Sequence, residues 1–211
     1  MAVLLQSLRR GRGSTEFLIK SCLIGGLLLA GLLPPAHGAL CILRNPDREI
    51  FGLFPTATGY RTHIVNVNRN PERLARLVEF LGQKLDYDER GEHTFYEVLD
   101  GTQLIGIVRP HSERGRYGAV EMVWAFTLEG TILDYRIQRS RERGTAAIMS
   151  ERFRRQFTGK TMTDPLTVGS SKDIHRGTFG FVPDGAEGLA SAIAYSAKKN
   201  LAIMEYFLLE D

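Results

Sequence analysis

Two short signals, Asp100-Gly101 and Glu129-Gly130, constrain the fold of this chain most, because each separates two runs that alternate apolar and polar residues. A glycine after an acidic residue supplies the positive φ of a tight turn, so each pair of runs reads as a β-hairpin. The first hairpin takes residues 94–99 and 103–108, the second residues 119–127 and 132–138. In the second, Val120, Met122, Trp124 and Phe126 share a face at a spacing of two. That stripe is a core face, and Trp124 is assigned to packing before any stacking on a cofactor ring. Residues 60–67 alternate well enough for one more strand.

Helical signals lie around the hairpins. Asn70-Pro71-Glu72 supplies an N-cap, a proline at the first helical position and an early acid. Leu74, Leu77, Val78, Leu81 and Leu85 then fall on one face of a core helix. A second helix is expected over residues 146–157, with Met149, Phe153 and Phe157 inward and Arg152, Arg154 and Arg155 forming a basic face for solvent, an acidic partner or anionic headgroups. The last helix is expected over residues 185–200, burying Ala186, Leu189, Ala190, Ile193, Ala194 and Ala197. Lys198 and Lys199 would suit its C-terminal end. Residues 201–209 are almost wholly apolar and must pack on the domain, add a strand or meet a partner. The fold class is therefore α+β, antiparallel hairpins packed with helices.

Ahead of this domain, Arg9, Arg10 and Arg12 precede residues 21–43, which contain no Asp, Glu, Lys or Arg. Such a segment reads as one membrane segment, either a retained anchor or a cleaved signal ending near Ala36-His37-Gly38. The arginines stay cytoplasmic in both readings, so the domain faces outward from a bacterial inner membrane, in the periplasm or outside the cell. The layout is a basic segment and anchor or signal over 1–43, a connector of little regular structure over 44–59, and an outward-facing domain over 60–211. A net charge of +3 over 211 residues gives no footprint for nucleic acid.

Specific chemistry is sparse. Cys22 and Cys41 offer no internal disulfide, and no Cys or His spacing marks an iron or zinc site, so no metal centre is expected. His63, His93, His111 and His175 have no partners at recognisable spacing and read as surface or hydrogen-bonded structural histidines. Gly115-Arg116-Tyr117-Gly118 precedes a strand, not a helix, and lacks the context of a phosphate-binding loop. No Ser-His-Asp or Cys-His arrangement can be argued, so no catalytic residue is assigned.

The order hairpin, Phe157-Thr158-Gly159-Lys160, loop, then Gly-Ala opening an Ala-rich helix resembles the FMN-binding domain of the periplasmic flavin subunits of Rnf and sodium-pumping NADH:quinone reductase complexes. The likeness is best over residues 117–200, and the single N-terminal membrane segment fits it. In that family a Ser-Gly-Ala-Thr motif opens the helix, and its threonine carries FMN through a phosphoester. Here Gly185 and Ala186 match, Asp184 takes the serine position and Glu187 the threonine position. A carboxylate has no hydroxyl to esterify, and Asp184 and Glu187 would occupy the helix-end donors and repel a phosphate. A second departure is Ser140-Arg141-Glu142-Arg143-Gly144-Thr145, where the family has a His and a Glu-Thr-Pro-Gly pattern.

What the resemblance implies is a membrane-anchored, FMN-binding-like accessory or structural subunit of a respiratory or photosynthetic electron-transfer complex, without cofactor. Its partners would be the other subunits and the bilayer. The alternative is an electron-transfer flavoprotein that holds FMN noncovalently, with Arg141, Arg143, Lys172 or Arg176 meeting the phosphate. A third class, an envelope protein binding another ligand, has no residue that argues for it.

Overall fold

The structure is a computed structural model, and it describes residues 46–168 and 179–210. The apolar stretch 21–43, both cysteines, Lys172, His175 and Arg176 lie outside the described residues. Among the described residues no helix is long and apolar enough to cross a membrane.

A five-stranded antiparallel sheet forms the centre, with strands in sequence order from β1 to β5. They are β1 (Gly59–Asn66), β2 (Glu92–Asp100), β3 (Gln103–Arg114), β4 (Ala119–Phe126) and β5 (Ile132–Arg139). Both expected hairpins are present, with Gly101 at φ 59° and Gly130 at φ 78° in their turns. The strand expected over 60–67 is β1, paired along its length with β2, Gly59 opposite Leu99 and Asn66 opposite Glu92.

The connector expected over 44–59 is not irregular. Pro46–Leu53 forms helix α1, which sets Ile50 and Phe54 against Tyr96, Val98, Val108, Val123 and Ala125 on one face of the sheet. Its cover explains why β4 is apolar on both faces, since Val123 and Ala125 alternate with Met122 and Trp124 and all four are buried. Gly106 on β3 is part of the same packing, because a Cβ there would lie 2.4 Å from the Phe54 ring.

On the opposite face lie α2 (Pro71–Leu81) and α5 (Glu187–Met204). The Asn70 side chain accepts from the Arg73 N–H at 3.0 Å, Pro71 occupies the first turn and Gly82 ends α2 in the left-handed conformation, as the sequence signals require. Every residue expected on the buried face of the last helix is buried. That helix does not stop at Asn200, however. It continues to Met204 and through a wide turn, Glu205–Leu209, so the apolar tail packs on its own domain with Ile203, Met204 and Phe207 buried. The helix expected over 146–157 is two short ones, α3 (Thr145–Ile148) and α4 (Glu151–Arg154), broken at Ser150, whose backbone is extended. Of its expected inward residues, Phe153 and Phe157 are fully buried, with Phe157 edge-on to Trp124 and Tyr135, whereas Met149 is half-buried.

Candidate functional site

Three loops meet at one end of the sheet, and two of them are the segments that bear the flavin in the family this sequence resembles. The β3–β4 turn closes with the Gly115 N–H donating to the Gly118 carbonyl at 2.9 Å. Glu142, from the loop after β5, accepts the Tyr117 N–H at 2.6 Å, and a Cβ on Gly115 would lie 2.4 Å from its Oε1. Within that loop Thr145 Oγ1 donates to the Glu142 carbonyl at 2.8 Å, which fixes its curvature. Gly144, at φ 81°, then lies so close to the start of α5 that a Cβ there would be 2.6 Å from Ala186 Cβ.

Gly185, Ala186 and Glu187 thus sit where the loop 140–145 closes on the helix. Ala186 is buried and occupies the N-cap position, where it has no side chain to accept a hydrogen bond. Asp184 is exposed and is not the capping residue, contrary to expectation. Glu187 Oε1 accepts the Gly185 N–H, which precedes the N-cap, at 3.1 Å. These residues do not fit the family's covalent flavin link. The side chain at 187 carries no hydroxyl, its carboxylate already holds a backbone donor, and Ala186 is in van der Waals reach of Gly144. Arg141 and Arg143 are both exposed in the adjoining loop.

A second polar assembly was not legible in the sequence. The β2–β3 ladder ends at the Tyr96–Val108 pair, whereas β3 continues beside β4 to Arg114. Pro110, with no N–H for a ladder, lies just beyond that end. Arg109, His111 and Glu113 follow at alternate positions and meet His93 of β2, Glu89 of the preceding turn, and Ser196, Lys199 and Asn200 of α5. Lys199 Nζ donates to Glu113 Oε2 at 2.9 Å and also to Glu89, with its side chain 3% exposed. This corrects its expected place at an exposed helix end. Its charge is compensated by carboxylates from two other elements.

Both histidines of the cluster are buried and hydrogen-bonded. His93 Nε2 lies 2.9 Å from the Glu89 carbonyl oxygen, so it carries the proton and donates. Nδ1 is then the acceptor for Arg109 Nη2 at 2.5 Å, and no site remains for a second proton. Burial, reinforced by the Arg109 charge, lowers the His93 pKa to about 3. Burial likewise lowers His111 to about 4, although its Nε2 donates to Glu113 Oε2 at 3.2 Å. Burial alone would raise Glu113, but the His111 hydrogen bond and the Lys199 charge hold it below the usual carboxylate range. Lys199 is raised in turn, because the pull of Glu113 and Glu89 outweighs its burial. With the histidines neutral, two cations balance two carboxylates. Arg109 also donates to Asn200 and lies 5.3 Å from the Phe95 ring centre. Asn200 bonds Ser196, and the Trp124 indole N–H donates to Ser196 Oγ at 3.1 Å. Trp124 is thus a packing residue with its polar edge satisfied, as assigned.

Glu89, His111 and Glu113 bring ligand atoms within 4.8 Å of one another, a grouping that the reading of no metal centre missed. The Lys199 ammonium already donates to both carboxylates. Both carboxylates are therefore engaged in an ion-pair network that joins α5 to two strands. His63 is apart from it, exposed on β1 with Nδ1 3.3 Å from Glu97.

Comparison of the sequence with protein-family models and with curated proteins finds no match.

Proposed function

We propose that this chain is a non-catalytic accessory or structural subunit of a membrane electron-transfer complex, built on an FMN-binding-like domain that has lost covalent flavin attachment. In this reading the N-terminal segment holds it at a bacterial inner membrane, and the domain faces the periplasm and its partner subunits. The observation that carries the proposal is the closure at Gly144 and Ala186, together with the Glu187 carboxylate on the Gly185 N–H. Both segments implied as ligand-bearing are brought together, yet they meet each other. The Glu187 carboxylate stays at the helix start, where its charge would oppose a phosphate.

The second reading, FMN held noncovalently, is favoured by Arg141 and Arg143, exposed beside the same junction. Absorbance of the protein purified from its native membrane, before and after denaturation, separates the two. An accessory subunit carries no flavin bands and travels with a larger complex. Bands released by denaturation establish the noncovalent flavoprotein, and flavin that stays attached overturns the placement of Glu187.

A further inference from the structure

A cleft of about 510 Å³ opens between α1, the β5 edge and α4, far in sequence from residues 184–187. It falls within the size range of small-molecule sites, roughly 300–1,000 Å³. Arginines reach it from three elements: Arg48 of α1, Arg136 and Arg139 of β5, and Arg154 of α4. Two carboxylates, Glu49 and Glu121, share the lining and pair with Arg48 and Arg139, which leaves four cations against two anions. Ile137 and Met149 supply an apolar wall.

The fold holds these guanidinium groups in place by short contacts. Arg136 Nη2 donates to the Gly52 carbonyl at 2.6 Å, and its guanidinium lies against that glycine. Arg139 is paired with Glu121, and Arg154 Nη2 is 3.4 Å from Asp134 Oδ2. Arg154 Nε is nonetheless buried without a hydrogen-bond partner.

The geometry points to this cleft as a binding site for a phosphate group attached to an organic body, either a small phosphate ester or the headgroup of an anionic lipid. Guanidinium forks offer paired donors that match phosphate oxygens. Forks arriving from three elements suit a tetrahedral anion better than a planar carboxylate, which one fork saturates. Ile137 and Met149 would meet the organic part. This inference stands apart from the accessory-subunit reading, since no residue of the 184–187 junction enters it.

The test is titration calorimetry on the full chain with inorganic pyrophosphate and, in a second arm, with monomeric short-chain phosphatidylglycerol against short-chain phosphatidylcholine. Arg139→Gln combined with Arg154→Gln removes two forks. Gln138→Glu adds a carboxylate to the lining without removing an arginine and decides the matter if the double variant fails to fold. Saturable millimolar or tighter binding that each folded variant weakens about tenfold or more supports the site. Pyrophosphate binding then identifies a soluble phosphate ligand, and phosphatidylglycerol binding alone identifies a lipid headgroup. No saturable binding of either probe, or binding that a folded variant retains unchanged, overturns the proposal.

Discussion

Replacing Lys199 by Met isolates the role of the buried network, because Met keeps most of the aliphatic volume and removes only the cation. Two losses follow, the attraction to Glu113 and Glu89 and the compensation of their charge. Removing one partner of a buried ion pair typically costs about 3–5 kcal/mol. The second loss has a ceiling, since Glu113 can take up a proton instead. From the ordinary value of 4.5, doing so at pH 7 costs about 3.4 kcal/mol, at 1.36 kcal/mol per unit. At pH 5 the same ceiling is about 0.7 kcal/mol. The variant should therefore be about 3–5 kcal/mol less stable than wild type at pH 7 and only about 1–2 kcal/mol less stable at pH 5.

The wild type should itself lose stability as pH falls below 6.5. His93 and His111 have folded values depressed to about 3 and about 4, so protons bind the unfolded chain first. Each histidine then costs about 2 kcal/mol by pH 5. Urea unfolding of the full chain at both pH values measures the two trends, with Lys198→Met as control. Lys198 lies over the Phe80 ring at 4.8 Å, and losing that contact should cost no more than about 1 kcal/mol. A difference below about 1 kcal/mol for Lys199→Met at pH 7, or one that grows on acidification, would refute the network as described.

Two further substitutions test the local geometry. Gly144→Ala should destabilise by about 2–4 kcal/mol, because φ 81° strains any L side chain and the new methyl meets Ala186. Adding Ala186→Gly should recover the contact part but not the backbone part, and additive effects in urea unfolding would show that the two segments do not touch. Asn70→Ala removes the acceptor for the Arg73 N–H and should cost about 1 kcal/mol in the same assay, whereas an unchanged midpoint would show that the cap carries no weight.

The elements that were legible in the sequence are those whose signal is local. Asp100-Gly101 and Glu129-Gly130 set both hairpins, and Asn70-Pro71 with Gly82 bounds α2, because turn and cap chemistry acts within a few residues. The missed features depend on what arrives from elsewhere. Helix α1 was read as connector because Pro46, Pro55 and two glycines dominate its surroundings. The signal that could have found its cover lay in β4, where residues 122–126 are apolar without alternation. Lys198-Lys199 signals a helix end in the sequence because paired lysines normally mark a solvated terminus. Yet residues 201–204 continue the apolar pattern, and compensation from Glu89 and Glu113 makes Lys199 a buried residue.

The polar cluster was hidden by one misplaced boundary. The sequence signal for β3 stops at Val108, because Arg109-Pro110-His111 breaks the apolar alternation. Continuing the strand puts Arg109, His111 and Glu113 on one face, two apart. That alternation alone gathers the three residues that β3 contributes. Lys199 and Asn200 could not be added from the sequence, since their place follows from how α5 crosses β3. The 140–145 loop and residues 184–187 were linked in the reading only through a family resemblance. Gly144 gives that link a physical form, because a left-handed glycine pressed on Ala186 is a constraint both segments must satisfy whatever the domain binds.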